Sequence, residues 1–305
     1  MTKIVISTSS FDQVALEELS DHAFTVVLNP YGRRLTEAEI SSFLKENNPI
    51  GLIAGVEPLT ERVLTATPSL KIISRCGVGL DNVDLNAARR LGIQVYNTPD
   101  APVQAVAELT LALMLNILRK VHQADQQIRM KRWQPLMGEL LANKTVGIIG
   151  LGRIGKRVKE LLGVFGARII SYDPNVKNDM QVALDVLLHT ADLVTLHLPY
   201  APETHHFINA ARLAMLKPTS FIFNLSRGNL IDEGALYYAL KANRIAGAGL
   251  DVFAEEPYVG RLTECDNVIL TSHMGSYAKE ARKHQEREAV LNLKLGLEQM
   301  TNRGG

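Results

Sequence analysis

Four groups of residues in this 305-residue chain have the types and spacing to do chemistry together. The first is Gly150-x-Gly152-x-x-Gly155, which follows the apolar run Val146 to Ile149 and precedes a helix-forming segment, Lys156 to Leu162. A buried strand, a glycine turn and a helix make a phosphate cradle. The first glycine permits the tight turn, the second admits a pyrophosphate to the backbone, and the third lets the helix pack on the strand with its N-terminus toward the phosphates. A second strand, Arg168 to Tyr172, ends at Asp173. An acidic side chain there bonds a ribose 2′-hydroxyl and repels a 2′-phosphate. No arginine follows in Pro174-Asn175-Val176. These features predict a nicotinamide dinucleotide, NAD in preference to NADP.

The other three groups are Asn224-Leu225-Ser226-Arg227-Gly228, the stretch from Leu250 and Asp251 to Glu256-Pro257, and Leu270-Thr271-Ser272-His273-Met274-Gly275. Each falls at the C-terminal end of a predicted strand, where open α/β sheets bind ligands. Arginine, glutamate and histidine suit a 2-hydroxy acid. A guanidinium holds a carboxylate with two parallel hydrogen bonds and polarises the adjacent keto oxygen. An imidazole exchanges a proton with that oxygen, and a neighbouring carboxylate orients the ring and favours its charged form. Glu255 competes with Glu256 for the carboxylate role, and His197, at another strand end before Leu198-Pro199, competes with His273. The remaining histidines, His22, His122, His189, His205, His206 and His284, sit in helical or loop segments and read as solvated or hydrogen-bonded. His205 and His206 are adjacent, without HExxH or CxxC spacing, so no metal is expected.

Positioning such groups takes a parallel sheet. Apolar runs at Ile4–Ser7, Phe24–Leu28, Gly51–Ala54, Lys71–Ser74 and Ile93–Tyr96 alternate with helix-forming segments at Gln13–Ser20, Glu37–Glu46, Thr60–Ala66 and Leu85–Leu91. That alternation predicts a first doubly wound unit. Thr98-Pro99-Asp100-Ala101-Pro102 breaks it. A helix over Val106–Val121 then leads to the glycine fingerprint. Later strands are expected at Asp192–Leu196, Ser220–Asn224, Gly247–Val252 and Asn267–Leu270, with a final helix over Tyr277–Met300 and fraying from Thr301. The fold class is α/β, two doubly wound parallel-sheet domains: a flavodoxin-like unit over 1–98, completed by 279–305, and a Rossmann unit over 99–278. A formal net charge of +1 gives no global field for nucleic acid. The most apolar helical stretch, Val106 to Leu118, contains Glu108 and Asn116 and is too short to span a bilayer. Two distant cysteines, Cys76 and Cys265, and a start without a signal-peptide pattern lead to the expectation of a cytoplasmic protein.

The motifs together resemble those of the D-isomer-specific 2-hydroxyacid dehydrogenases, nearest the phosphoglycerate dehydrogenase branch. The resemblance runs through Arg75-Cys-Gly-Val-Gly79-Leu-Asp-Asn-Val-Asp84, Asn97-Thr-Pro, Val106-Ala-Glu108, Met137-Gly-Glu-Leu140, the fingerprint, His197-Leu-Pro199, Asn224-x-x-Arg227-Gly228, Leu250-Asp-Val-Phe253, Glu256-Pro257 and the histidine segment. It implies Arg227, Glu256 and His273 as catalytic residues. It implies cofactor contacts from Gly150, Gly152, Arg153, Ile154, Gly155 and Asp173, from Leu198, Pro199 and Thr204 on the adenine side, and from Leu225, Ser226, Asp251 and Ser276 nearer the nicotinamide. Val78 lies in a loop that meets cofactor and substrate together, and Arg75 and Gly77 are implied as substrate residues beside Arg227. A homodimer is implied too, with Val106–Val121 and Trp133 expected near its interface. The expected substrate pair is D-3-phosphoglycerate and 3-phosphohydroxypyruvate. A glyoxylate or hydroxypyruvate reductase is the near alternative, and an NAD(H)-sensing corepressor the alternative of another class.

Two positions depart from the family pattern. Ser272 stands where a proline usually precedes the histidine. Glu57, in Gly55-Val-Glu57-Pro58, would repel a phosphate if it faced the substrate, and Arg75, Lys131 and Arg132 are the cations able to offset it. The sequence also stops without the regulatory domain of longer phosphoglycerate dehydrogenases, so feedback through such a domain is not expected.

Overall fold

A computed structural model describes residues 2–20, 24–176 and 179–303. The chain divides into two units, Met1–Pro102 with Tyr277–Gly305, and Val103–Ser276.

In the first unit, strands β1 (Thr2–Ile6), β2 (Phe24–Leu28), β3 (Gly51–Ala54), β4 (Ile72–Arg75) and β5 (Gln94–Asn97) form an all-parallel sheet of order β2-β1-β3-β4-β5. Helices α1 (Gln13–Ser20), α2 (Glu37–Asn47), α3 (Glu61–Thr65) and α4 (Leu85–Arg90) connect them. Successive strand residues point to opposite faces. Ile4 and Ile6 therefore join one core with Ala15, Leu19, Val290 and Leu293, while Val5 joins another with Ile40, Leu44 and Val63. Burial on both faces is why these strands read as unbroken apolar runs. The last helix closes this unit. A Cβ on Gly51 would lie 2.7 Å from the Leu293 side chain, so a bare backbone there admits that helix against β3. The helix spans Lys279–Arg303, continuing past Thr301, where fraying was expected. His22 and the final Gly304-Gly305 lie outside the described residues.

The second unit begins with α5 (Val103–Arg119) and α6 (Val121–Arg129), separated by Lys120 in the left-handed region at φ 54°. Strands β6 (Thr145–Ile149), β7 (Arg168–Tyr172), β8 (Leu193–Leu196), β9 (Phe221–Asn224), β10 (Gly247–Leu250) and β11 (Val268–Leu270) are all parallel, in the order β11-β10-β9-β8-β6-β7. Between them run α7 (Arg153–Val164), α8 (Leu184–Thr190), α9 (Ala210–Met215) and α10 (Glu233–Lys241); α11 is the final helix Lys279–Arg303. The strand order reverses between β6 and β8, which puts the switch point beside the glycine turn.

The apolar face of α5 is buried in its own unit. Val106, Leu113, Met114 and Ile117 pack with Val146, Ile148 and Phe223. Exposure falls instead on the next stretch: α6 buries no residue, and Trp133 and Met137 are 89% and 87% exposed. Among the described residues no helix is long and apolar enough to cross a membrane.

Candidate active site

The cradle after β6 is built by contact. Gly150 adopts φ 96°, and a Cβ there would lie 2.7 Å from the His197 carbonyl carbon. A Cβ on Gly155 would come within 2.0 Å of the Gly150 oxygen, so the third glycine lets α7 close on the turn. Gly152, the N-cap of α7, faces open space: nothing lies within 4 Å of a Cβ placed on it. That open approach at a helix N-terminus fits a pyrophosphate. Asp173, at the end of β7, is buried. Its Oδ2 accepts the Leu151 N–H at 2.7 Å and its Oδ1 the Asn175 N–H at 2.8 Å, which fixes the carboxylate beside the turn. Each oxygen keeps a lone pair for a ribose hydroxyl. Arg153 and Ile154 open α7.

Leu198 and Pro199 follow β8, and the Thr204 hydroxyl closes that loop by accepting the Ala201 N–H at 2.8 Å. His197 is no rival acid. Its Nε2 lies 3.0 Å from the Thr195 hydroxyl, and burial pushes its pKa down to about 4, so near neutrality the ring holds no second proton to donate.

Arg227, Glu256 and His273 leave the C-terminal ends of β9, β10 and β11, three neighbours in the sheet. The buried Asn224 side chain organises the arginine turn. Its Nδ2 donates to the Arg227 carbonyl at 2.9 Å and its Oδ1 accepts the Ser226 N–H at 3.1 Å. The Ser226 hydroxyl donates to the Leu196 carbonyl at 2.8 Å, and the Arg227 Nη1 to the Ser226 carbonyl at 2.7 Å. Leu225 turns its side chain into the core with Phe223. The arginine turn rests on the glutamate loop: a Cβ on Gly228 would lie 1.8 Å from the Phe253 carbonyl carbon.

His273 Nδ1 lies 2.9 Å and 3.1 Å from the two Glu256 oxygens. A carboxylate only accepts, so Nδ1 carries a hydrogen and Nε2 is left for proton exchange. The Phe253 N–H donates to Glu256 Oε1 at 3.1 Å. His273 itself sits at φ 52°, a left-handed conformation uncommon outside glycine. Asp251, 1% exposed, holds it there. The Asp251 carbonyl accepts the His273 N–H at 2.8 Å, Oδ1 accepts the Thr271 hydroxyl at 2.6 Å and the Met274 N–H at 2.8 Å, and Oδ2 accepts the Gly275 N–H at 2.8 Å. The carboxylate thus braces the loop that has Ser272 in place of proline. Ser276 ends the second unit directly after this brace.

Arg75, Gly77 and Val78 belong to the first unit, after β4. The Arg75 guanidinium donates to the Cys76 carbonyl and lies over Gly77, where a Cβ would come within 1.1 Å of Nη1. Gly77 adopts φ 144° and its N–H donates to the Thr98 hydroxyl at 2.7 Å. Val78 is exposed. Glu57 is turned into its own unit. It is 1% exposed and accepts from the Ser7 hydroxyl and, at 3.1 Å, from the Gly55 N–H. Burial raises its pKa, against those hydrogen bonds and the attraction of Arg75. Glu57 is therefore a buried, hydrogen-bonded carboxylate of the first unit.

The sequence model of the D-isomer specific 2-hydroxyacid dehydrogenase, NAD binding domain, matches residues 111–275. A D-3-phosphoglycerate dehydrogenase of Synechocystis sp. is 39% identical over 310 residues, covering 97% of this chain and 55% of its own length. A glyoxylate reductase of Thermofilum pendens is 40% identical over 253 residues, 78% of this chain and 75% of that protein. The solved TT0316 protein of Thermus thermophilus superposes with a TM-score of 0.90 at 34% identity, covering 97% of each chain. The chain belongs to the D-isomer specific 2-hydroxyacid dehydrogenase family, and its second unit carries the family's NAD-binding domain. It spans about half the length of the D-3-phosphoglycerate dehydrogenases it matches.

Proposed function

We propose that the protein is an NAD-dependent D-2-hydroxyacid dehydrogenase acting on D-3-phosphoglycerate and 3-phosphohydroxypyruvate. The Glu256–His273 pair beside the Arg227 turn carries this reading, because an imidazole oriented by a carboxylate is the arrangement that proton transfer to a keto oxygen needs. NAD would be held by Gly150, Gly152, Arg153, Ile154 and Gly155 at the phosphates, by Asp173 at a ribose, by Leu198, Pro199 and Thr204 on the adenine side, and by Val78, Leu225, Ser226, Asp251 and Ser276 nearer the nicotinamide. Bound NAD(H) supplies the hydride exchange. Arg227 holds the substrate carboxylate, with Arg75 and Gly77 as further substrate residues. His273 Nε2 gives its proton to the keto oxygen in reduction and takes it from the hydroxyl in oxidation. Glu256 keeps Nδ1 protonated and the ring oriented throughout.

The glyoxylate reductase relative favours a second reading, reduction of glyoxylate or hydroxypyruvate at the same site. One panel separates the readings: kcat/KM for phosphohydroxypyruvate, hydroxypyruvate and glyoxylate, each with NADH and NADPH. The expected result is activity on phosphohydroxypyruvate with a modest preference over hydroxypyruvate, and NADH favoured over NADPH because Asp173 faces the 2′ position. Good turnover of glyoxylate with none of the phosphorylated acid gives the second reading. Equal or better efficiency with NADPH removes the discrimination assigned to Asp173. Binding of NADH without turnover of any acid gives the sensor reading.

We also propose a cytoplasmic homodimer, with no nucleic-acid or membrane partner, joined through residues 121–140. Val121, Ile128, Met130, Trp133, Met137 and Leu140 are all exposed there, and an apolar patch of this kind marks an association surface. Light scattering at micromolar concentration should give twice the monomer mass, and Trp133→Glu should shift it toward monomer. A wild-type protein that stays monomeric refutes the dimer.

A further inference from the structure

The loop that carries Glu256 is fixed at three places, and one fixing group has no part in the chemistry described above. The Phe253 and Tyr258 rings stack at 4.1 Å, closing the loop around Glu256. Gly228 packs on the Phe253 and Ala254 backbone. The third group is Glu233. Asp232 caps α10 through the Ala235 N–H, so Glu233 stands at the first position of the helix and its side chain is free to reach across. Its Oε1 accepts the Ala254 N–H at 2.7 Å.

This carboxylate sits where solvent alone would not keep it. Burial raises its pKa, and the charge of Glu256 adds to that, while the Ala254 N–H and His206 act in the opposite direction. The Tyr258 hydroxyl, which accepts the Leu262 N–H, also feels its charge. A helix-start glutamate with no such duty would turn to water rather than lie half-buried beside a second carboxylate.

We propose that Glu233 is a positioning residue for Glu256: by accepting the Ala254 N–H it ties the helix that follows the arginine turn to the loop that carries the glutamate. The inference rests on the dehydrogenase reading. Through this clasp, displacement of Ala254 moves Phe253, whose N–H donates to Glu256 Oε1, and so moves the partner of His273.

The test uses three variants of the full chain. Glu233→Gln removes the charge and keeps an acceptor oxygen at the same reach. Glu233→Asp keeps the charge and falls one methylene short. Glu233→Ala removes both. Each is measured for kcat and KM with NADH and the best 2-keto acid, for NADH affinity by fluorescence, and for hydrogen–deuterium exchange of the peptide covering 252–257. The Ala and Asp variants should lose about 10- to 100-fold in kcat, the scale of a misplaced catalytic group, with KM and NADH affinity changed less than about threefold. Their 252–257 amides should exchange faster than in the wild type. The Gln variant should stay within about threefold of wild-type kcat, with unchanged exchange. If the Ala variant does not fold, the contrast between Asp and Gln decides. Unchanged exchange and kcat in the Asp variant, or a Gln variant as impaired as the Asp variant, overturns the proposal. A wild-type protein inactive on every 2-keto acid overturns the dehydrogenase reading instead, and the exchange contrast then decides the clasp by itself.

Discussion

His273→Ala is expected to lower kcat by about 100-fold or more while leaving NADH affinity within about threefold. The magnitude follows from what is lost. Reduction of a keto acid leaves charge on the carbonyl oxygen unless a proton arrives with the hydride, and general-acid delivery contributes about 10²–10⁴-fold. The other strand-end histidine cannot take over, because His197 is buried in neutral form with its pKa pushed down to about 4 and its Nε2 beside the Thr195 hydroxyl. Glu256→Gln serves as the companion variant. Glutamine keeps the size and can still accept the Nδ1 hydrogen, but it removes the negative charge beside the ring. Turnover should therefore fall, though by less than in His273→Ala, because the ring keeps its hydrogen-bonded place. Near-normal turnover by His273→Ala would sink the acid–base assignment. Unchanged turnover in Glu256→Gln would show that the carboxylate's charge has no part in proton transfer.

Much of this site was legible because parallel sheets expose their logic in sequence. Strands buried on both faces appear as short apolar runs, and chemistry-bearing loops follow at their C-terminal ends. The Gly150–Gly155 turn, Asp173 and the Arg227, Glu256 and His273 segments are all read this way. The contact between Glu256 and His273 is what the adjacency of β10 and β11 adds. Other features depend on partners far along the chain. Nothing in Gly55-Val-Glu57-Pro58 says that the carboxylate turns inward, because its partner Ser7 stands at the end of the neighbouring strand β1. The break at Lys120 has no glycine or proline to announce it. Leu225 reads as a ligand neighbour from its motif, yet its side chain shares the α5 face of the sheet with Phe223. Asp251 and Glu233 show the same limit from the other side. One is an acid directly after a strand and the other an ordinary helix start, and only the fold reveals that both hold loops. For Glu233 the available signal was Asp232-Glu233 itself, which capping explains without any further role.

Arg227→Lys is expected to lower kcat/KM for the 2-keto acid by about 10- to 100-fold, and Arg227→Ala by about 1,000-fold. A carboxylate held by a guanidinium receives two parallel charge-assisted hydrogen bonds, each worth about 1.5–3 kcal/mol. Lysine keeps the charge but offers a point donor on a flexible stem, so it loses one bond and the alignment of the keto group with it. Alanine loses both. The backbone at this position should survive either change, because Asn224 still holds the Arg227 carbonyl and the Ser226 N–H once the guanidinium's bond to the Ser226 carbonyl is gone. NADH affinity and melting temperature are therefore expected to stay close to wild type, which separates a substrate clamp from a structural ion pair. The loss should also depend on the substrate's carboxylate. For a keto substrate whose carboxylate is replaced by a neutral amide, the wild type and Arg227→Ala should differ much less, since the missing anion leaves the guanidinium little to grip. Kinetics unchanged in Arg227→Lys and Arg227→Ala alike would place the arginine outside the substrate site.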